Sequence, residues 1–330
     1  MTRTAPMRLL VTGGAGYIGS VVAAQLVEAG HEVAVLDDLS TGHRDAVAEG
    51  ASFIEADLLD RRQIRDRLNG PWDAVVHLAA RSLVQESSQQ PTTYFHHNVV
   101  GAVNLIDFMR EVGAARIVFS STAAVYGEPD VVPIDETAPT RPTNAYGASK
   151  LAVDQLLGFA AAAHGLAAVS LRYFNVAGAY AGRGERHRVE THLIPRVLAV
   201  AAGQAEAVDV YGTDYATPDG SAIRDYIHVA DLARAHLLAL AAARPGEHRI
   251  YNLGNGTGFS VWQVVESSRA VTGRPIAAHA RPRRSGDPAR LVAASERARR
   301  ELGWQPERPA LATIIGDAWD FMNQTARGGA

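Results

Sequence analysis

Two side chains of this sequence are spaced for proton transfer: Tyr146 and Lys150, in Tyr146-Gly-Ala-Ser-Lys150. On a helix that spacing puts both on one face. A phenol titrating at about 10 is a poor base at neutral pH, and a nearby ammonium lowers that value. So tuned, the phenol takes a proton from an alcohol. Upstream, an apolar run ends in Ser120-Ser121-Thr122, and the hydroxyl of Ser121 or Thr122 can hold the reacting oxygen. The Tyr-x-x-x-Lys spacing also arises by chance, as an aromatic residue beside a solvated lysine, so its meaning depends on what else the chain supplies.

What it supplies is a place for a dinucleotide. The strand-like run Arg8-Leu-Leu-Val-Thr12 leads into Gly13-Gly-Ala-Gly16-Tyr17-Ile18-Gly19 and then a helical stretch. Glycines at Gly13, Gly16 and Gly19 permit a tight turn with bare backbone against a pyrophosphate, and the helix N-terminus adds N–H groups and its dipole. The bland alternative is an ordinary strand–turn–helix. A second strand ends at Asp37-Asp38, where a carboxylate accepts from ribose hydroxyls and repels a 2′-phosphate, which favours NAD over NADP. Asp57, followed by Leu58, is a candidate contact to the adenine. Leu78-Ala79-Ala80 ends another strand with residues small enough to let backbone approach the cofactor, whereas His77 beside them reads as structural. With a nicotinamide bound near Tyr146, its positive ring adds to the effect of Lys150, and hydride leaves the same carbon that loses the proton.

The elements needed to position these groups are legible as an alternation. Strands are expected at Arg8–Thr12, His31–Leu36, Ser52–Glu55, Ala74–Leu78, Arg116–Ser120 and Ala167–Arg172. Helices are expected at Gly19–Ala29, Gln63–Leu68, Asn98–Val112 and Ser149–His164. That pattern implies an α/β fold of Rossmann type, a doubly wound parallel sheet covered on both faces. Residues 1–175 are expected to form the NAD-binding domain, rejoined by a return segment near 224–250. Residues 176–330 should form a smaller mixed α/β lobe for the substrate. A long loop is expected over Val176–Glu190, with helices at His192–Ala202, Asp231–Ala243 and Val261–Thr272. Within the loop, Gly182-Arg-Gly-Glu-Arg-His-Arg188 is unusually basic: either a flap over a diphosphate or an exposed loop.

Composition narrows the options. The 330 residues are 47% hydrophobic and 20% charged with a formal net charge of -3, which gives no footprint for nucleic acid. There is no cysteine, so disulfides, thiolate metal centres and cysteine nucleophiles are excluded, and no metal is expected. No apolar run is long enough to span a bilayer and no signal peptide is recognisable, so a cytoplasmic protein is expected.

Taken together, several segments resemble the extended short-chain dehydrogenase/reductase family, and within it the enzymes acting on nucleotide-sugars. They are Gly13–Gly19, Ser120-Ser-Thr-Ala-Ala-Val-Tyr-Gly127, Tyr146–Lys150, Leu171-Arg-Tyr-Phe-Asn-Val-Ala-Gly178, Arg224-Asp-Tyr-Ile-His-Val-Ala-Asp231, Tyr251-Asn-Leu-Gly254 and Arg283-Arg-Ser-Gly-Asp287. The resemblance runs from Leu9 to about Trp304. It implies NAD as a retained cofactor, a UDP-hexose substrate, a homodimer, and interconversion of UDP-glucose and UDP-galactose through transient oxidation at C4. It further implies Tyr146 as base, Lys150 on the nicotinamide ribose, Thr122 on the sugar oxygen, and Ser120, Asn98 and Tyr173 at the cofactor. For the substrate it implies Asn175, His192, Leu193, Arg224, Arg284 and Asp287; the two positions before Leu193-Ile-Pro195, often asparagines, are Thr191 and His192 here. Ser82, with Arg81 beside it, replaces a lysine found in some members.

Alternatives stay open at this point. A 4,6-dehydratase needs an Asp-Glu pair where this chain has Ala123-Ala124. Another UDP-sugar 4-epimerase, acting on N-acetylhexosamines or glucuronate, or a UDP-glucuronate decarboxylase, also begins at C4. A catalytically silent NAD-binding sensor would usually lack one of Tyr146 and Lys150.

Overall fold

The computed structural model describes residues 5–68, 70–284 and 287–328. In chain order the strands are β1 (Arg8–Thr12), β2 (Glu32–Asp37), β3 (Ser52–Glu55), β4 (Ala74–His77), β5 (Arg116–Thr122), β6 (Ala167–Tyr173) and β7 (Asn175–Ala177). They continue as β8 (Val208–Tyr211), β9 (Ile223–Arg224), β10 (Tyr226–His228), β11 (His248–Leu253), β12 (Phe259–Ser260), β13 (Ala278–Arg281) and β14 (Arg290–Leu291). Seven of them form one parallel sheet in the order β11-β6-β5-β4-β1-β2-β3. The doubly wound sheet expected from the alternation is therefore present.

Its strands are apolar on both faces because both faces are covered. Leu9 and Val11 pack with the helices Tyr17–Glu28 and Val229–Ala242 on one side. Leu10 packs with Gly101–Val112 and Ala145–His164 on the other. The chain winds outward from β1 through β2 and β3, then returns to β4 on the opposite side of β1. The crevice between the carboxyl ends of β1 and β4 is the switch point at which such sheets bind ligands.

The remaining strands pair in small groups, β7 with β10, β8 with β13, and β9 between β12 and β14. The helices Leu193–Ala201, Val261–Thr272 and Leu311–Gly328 pack around apolar clusters containing Ile194, Leu198, Val264 and Ile314.

Three boundaries differ from expectation in ways that matter. The helix carrying Tyr146 starts at Ala145, because Asn144 caps it by accepting from the Gly147 N–H at 2.8 Å. The expected helix from Asn98 begins as a π-helical turn, His96–Val100, and becomes α-helical at Gly101. Two short helices, Val84–Gln89 and Pro91–Phe95, precede it; their polar sequence carries little helical periodicity. Pro91 opens the second of them, where a missing N–H costs nothing.

Candidate active site

The glycine turn closes on the end of β4. Gly13 has φ 71°, and a Cβ there would lie 2.6 Å from the Ala79 backbone nitrogen. At Gly19 a Cβ would lie 2.1 Å from the Gly13 carbonyl oxygen. A side chain at either position would force backbone apart, so the turn holds β1, its helix and the Leu78–Ala79 segment at a spacing only glycine allows. Tyr17 adds a strap: its hydroxyl donates to the Gly178 carbonyl at 2.6 Å, joining the turn to the segment after β7.

Next to the turn, the Asp37 carboxylate is buried and accepts from the Ala15 N–H at 3.0 Å and the Leu39 N–H at 2.9 Å. Burial pushes its pKa up, against those two bonds. Asp38 accepts from both the backbone and hydroxyl of Ser40. Asp57 uses one oxygen on the Leu59 N–H at 2.8 Å.

One cleft of about 430 Å³ joins this end to the chemical end. Gly13, Gly16, Tyr17, Ile18, Gly19, Asp37, Asp38, Asp57, Leu58, Leu78, Ala79 and Ala80 line it with Thr122, Tyr146, Lys150, Tyr173, Asn175, His192 and Arg224. Ser40, Thr41, Arg81, Glu185 and His187 also line it. The sequence reading did not place Ser40 and Thr41 there, although a Ser-Thr-Gly run after the acidic pair was a signal.

At the chemical end the Tyr146 phenol faces the Thr122 hydroxyl, which accepts from the Ala124 N–H at 3.1 Å. Lys150 Nζ donates to the Ser120 carbonyl at 2.8 Å and lies 4.8 Å from the Phe119 ring centroid. Burial sets both acidities. It pushes Tyr146 up, partly offset by the Thr122 hydroxyl, and pulls Lys150 down from 10.5 to about 7, opposed by Asp154. The expected lowering of the tyrosine rests on Lys150 together with a bound nicotinamide ring; among the protein's own groups, burial dominates both residues. Tyr173, beside Tyr146, is likewise pushed up by burial.

Strand alternation sorts the hydroxyls. Ser121 faces away from the cleft and donates to Asp154 at 3.1 Å. There it joins a buried set in which Arg172 Nε donates to Asp154 at 2.9 Å and Arg172 Nη1 to the Tyr126 oxygen at 3.1 Å. Ser121 therefore does not share the expected role with Thr122. Ser120 presents its carbonyl to Lys150, and its hydroxyl pairs with His236 Nε2 at 3.0 Å. Asn98 is not at the cleft wall either. Its amide accepts from the Arg81 N–H at 2.8 Å and donates to the Arg81 carbonyl and the Ser149 hydroxyl, so it fixes the segment after β4. His77 is buried, paired with Thr12 at 2.7 Å, and pulled down to about 3 by burial and Lys150.

At the outer end, Arg224 pairs with Asp287 and donates to the Ile223 carbonyl at 2.7 Å. Asn175, on β7, is exposed and beside the cleft. Arg284 is exposed and lies over the Tyr211 ring, 3.8 Å from its centroid; Ser285 and Gly286 of the same motif lie outside the described residues. His192 precedes the helix Leu193–Ala201 and faces the cleft. Leu193 turns into the packing between helices instead, because the first helical position points at the core of the small lobe. The basic loop does not offer all its cations to the cleft: Arg186 grips Asp45 with two bonds of 2.8 Å, and Arg183 Nε donates to the Ala46 carbonyl at 3.2 Å.

Comparison with known proteins agrees with this geometry. Residues 9–254 match the model of the NAD dependent epimerase/dehydratase family. The chain is 59% identical over 316 residues to the UDP-glucose 4-epimerase of Corynebacterium glutamicum, covering 96% of this chain and 95% of that one. A crystal structure of a UDP-glucose 4-epimerase superposes with a TM-score of 0.93 at 48% identity, covering 97% of this chain and 98% of the other. The Bifidobacterium longum UDP-glucose 4-epimerase, solved in complex with NAD+ and UDP, gives a TM-score of 0.91 at 34% identity over 97% of this chain and 99% of that one. By a family match over most of its length and by close full-length relatives, the chain belongs to the NAD dependent epimerase/dehydratase family.

Proposed function

We propose that this chain interconverts UDP-glucose and UDP-galactose by reversible oxidation at C4 of the hexose, with NAD held in the cleft. The observation that carries this is a single cleft with the glycine turn and ribose-side acids at one end and Tyr146, Thr122 and Lys150 at the other. The cofactor fits: Gly13, Gly16 and Gly19 present bare backbone to the cleft, and the helix at Tyr17 opens toward it. Gly13, Gly16, Tyr17, Ile18 and Gly19 would hold the pyrophosphate, Asp37 and Asp38 the ribose, Asp57 and Leu58 the adenine, and Leu78 to Ala80, Tyr173 and Lys150 the nicotinamide half. When bound, NAD takes the C4 hydride and returns it.

The chain's own residues do the rest. Tyr146 removes the C4 hydroxyl proton and later restores it, and Thr122 orients the same oxygen. Lys150, fixed on the Ser120 carbonyl, supplies positive charge from below. Asn175, His192 and Arg224 form the substrate end, with Asp287 and Arg284 bordering it; guanidinium suits a diphosphate. Ala123 and Ala124 line the cleft without an acid or base, which argues against expulsion of the C6 hydroxyl. We assign cofactor binding to residues 1–175 with the return segment 224–250, and the nucleotide-sugar to 176–330.

The partner is a second copy of the chain. Val84, Phe95, Val100, Val103 and Phe159 are exposed, Phe159 at 76%, on neighbouring helices. Among the described residues no helix is long and apolar enough to cross a membrane, and we infer a cytoplasmic enzyme.

The test is incubation of purified protein with UDP-galactose and no added NAD. Conversion to UDP-glucose supports the proposal; release of a 4-keto, decarboxylated or dehydrated sugar overturns it.

A further inference from the structure

We propose that Glu185, His187, Glu190 and His192 form a binding site for one divalent transition-metal ion of the zinc class, at the wall of the cleft. One donor atom from each of these residues lies within 4.8 Å of all the others. A zinc ion with bonds of about 2.0–2.2 Å holds its tetrahedral donors about 3.3–3.6 Å apart, so the wider pairs must close by about an ångström while the pairs Glu185–His187 at 2.5 Å and Glu190–His192 at 2.7 Å open.

The contacts inside the cluster point to a shared centre. His187 Nδ1 is shielded from solvent and forms an ion pair with Glu185 Oε1 at 2.5 Å, with the oxygen off the line of a well-aligned hydrogen bond. That off-axis approach leaves the two lone pairs able to meet at a third point, where one ion can sit. Glu190 Oε1 is hydrogen-bonded to His192 Nδ1 at 2.7 Å, where an ion would replace the proton, and accepts from the His192 backbone N–H at 2.6 Å. Its other oxygen lies 4.0 Å from His187 Nδ1, and the two imidazoles stack at 5.5 Å.

The donor set selects the ion. Two imidazoles and two carboxylates suit zinc and its neighbours, whereas magnesium and calcium take oxygen alone. A doubly charged ion also neutralises two carboxylates crowded into one loop.

The loop's arginines fit the same design. Arg183 and Arg186 reach Ala46 and Asp45, and His43 Nε2 meets the Arg186 carbonyl at 3.1 Å. They fasten the outer side of the loop to the segment after β2, while the interleaved Glu and His residues converge on its inner side. His192 adjoins the helix Leu193–Ala201, so an ion would tie the loop to that helix and set one wall of the cleft.

The experiment uses untagged full-length protein that has been treated with chelator and dialysed. Titration with Co2+, read by its visible ligand-field bands, and with Zn2+, read by calorimetry, should show one saturable site per chain, with Zn2+ displacing Co2+. Zn2+ should raise the melting temperature. The double variant His187→Ala, Glu190→Gln should lose at least about 100-fold in affinity. Zinc-edge anomalous scattering from a soaked wild-type crystal locates the ion independently of any variant. Absence of a stoichiometric site, binding undiminished in the variant, or anomalous density only elsewhere overturns the proposal.

Discussion

Lys150 Nζ donates to the Ser120 carbonyl at 2.8 Å, in a pocket where the lysine is almost wholly buried. The Lys150 side chain is thus fixed by main chain at the end of β5, and the cost of burying it falls on the stability of the fold. Its pKa is pulled from 10.5 to about 7, chiefly by burial. Between those values the unfolded chain holds a proton that the folded chain does not, so stability rises with pH through the window; below it the full cost of a buried ammonium remains. Lys150→Met should therefore gain most over wild type near pH 6 and lose that advantage toward about pH 9. Urea midpoints of both proteins across that range check the trend; a difference independent of pH refutes it.

Tyr146→Phe removes the proton acceptor and leaves the ring packing. The turnover number should fall by about 10²–10⁴-fold with the melting temperature nearly unchanged. Full activity in this variant would remove the phenol from the chemistry.

Thr122 and Ser121 are adjacent but should behave oppositely. Thr122→Val should lower turnover by about 10–100-fold, because it removes the hydroxyl that faces the phenol. Ser121→Ala should leave turnover within about twofold of wild type and cost about 1 kcal/mol of stability, as a lost bond to buried Asp154. Paired kinetics and denaturant curves separate the two roles.

Gly13→Ala places a Cβ 2.6 Å from the Ala79 nitrogen at a φ of 71°. The purified variant should carry little NAD and unfold more easily, by about 2 kcal/mol or more. Cofactor content after acid release and a melting curve test this. Gly16→Ala, where the nearest atom is 3.4 Å away, should be milder.

Arg224→Leu should raise KM for UDP-galactose by about 10–100-fold with a smaller change in turnover, because the charge-assisted contact proposed for it would be lost from both ground and transition states. An unchanged KM would leave the arginine a structural role, bonded to Asp287 and the Ile223 carbonyl.

Much of this molecule was legible in local pattern. Continuous apolar runs marked the parallel strands, since a strand covered on both faces needs no polar alternation. The glycine spacing marked the turn, since only glycine takes φ 71° against another backbone. The Tyr146–Lys150 spacing marked one face of one helix, since four residues make about a turn. Tertiary structure decided what depended on partners distant in sequence. It sent Ser121 to Asp154 and Arg172, Asn98 to the Arg81 backbone, and Leu193 into the packing between helices. It buried Tyr146, which raises its pKa, an effect that acts through every neighbour at once and that no local sequence states. It also split the basic loop, with arginines outward to Asp45 and Ala46 and Glu185, His187, Glu190 and His192 inward together, a division set by the neighbouring chain and not by the loop's own charge.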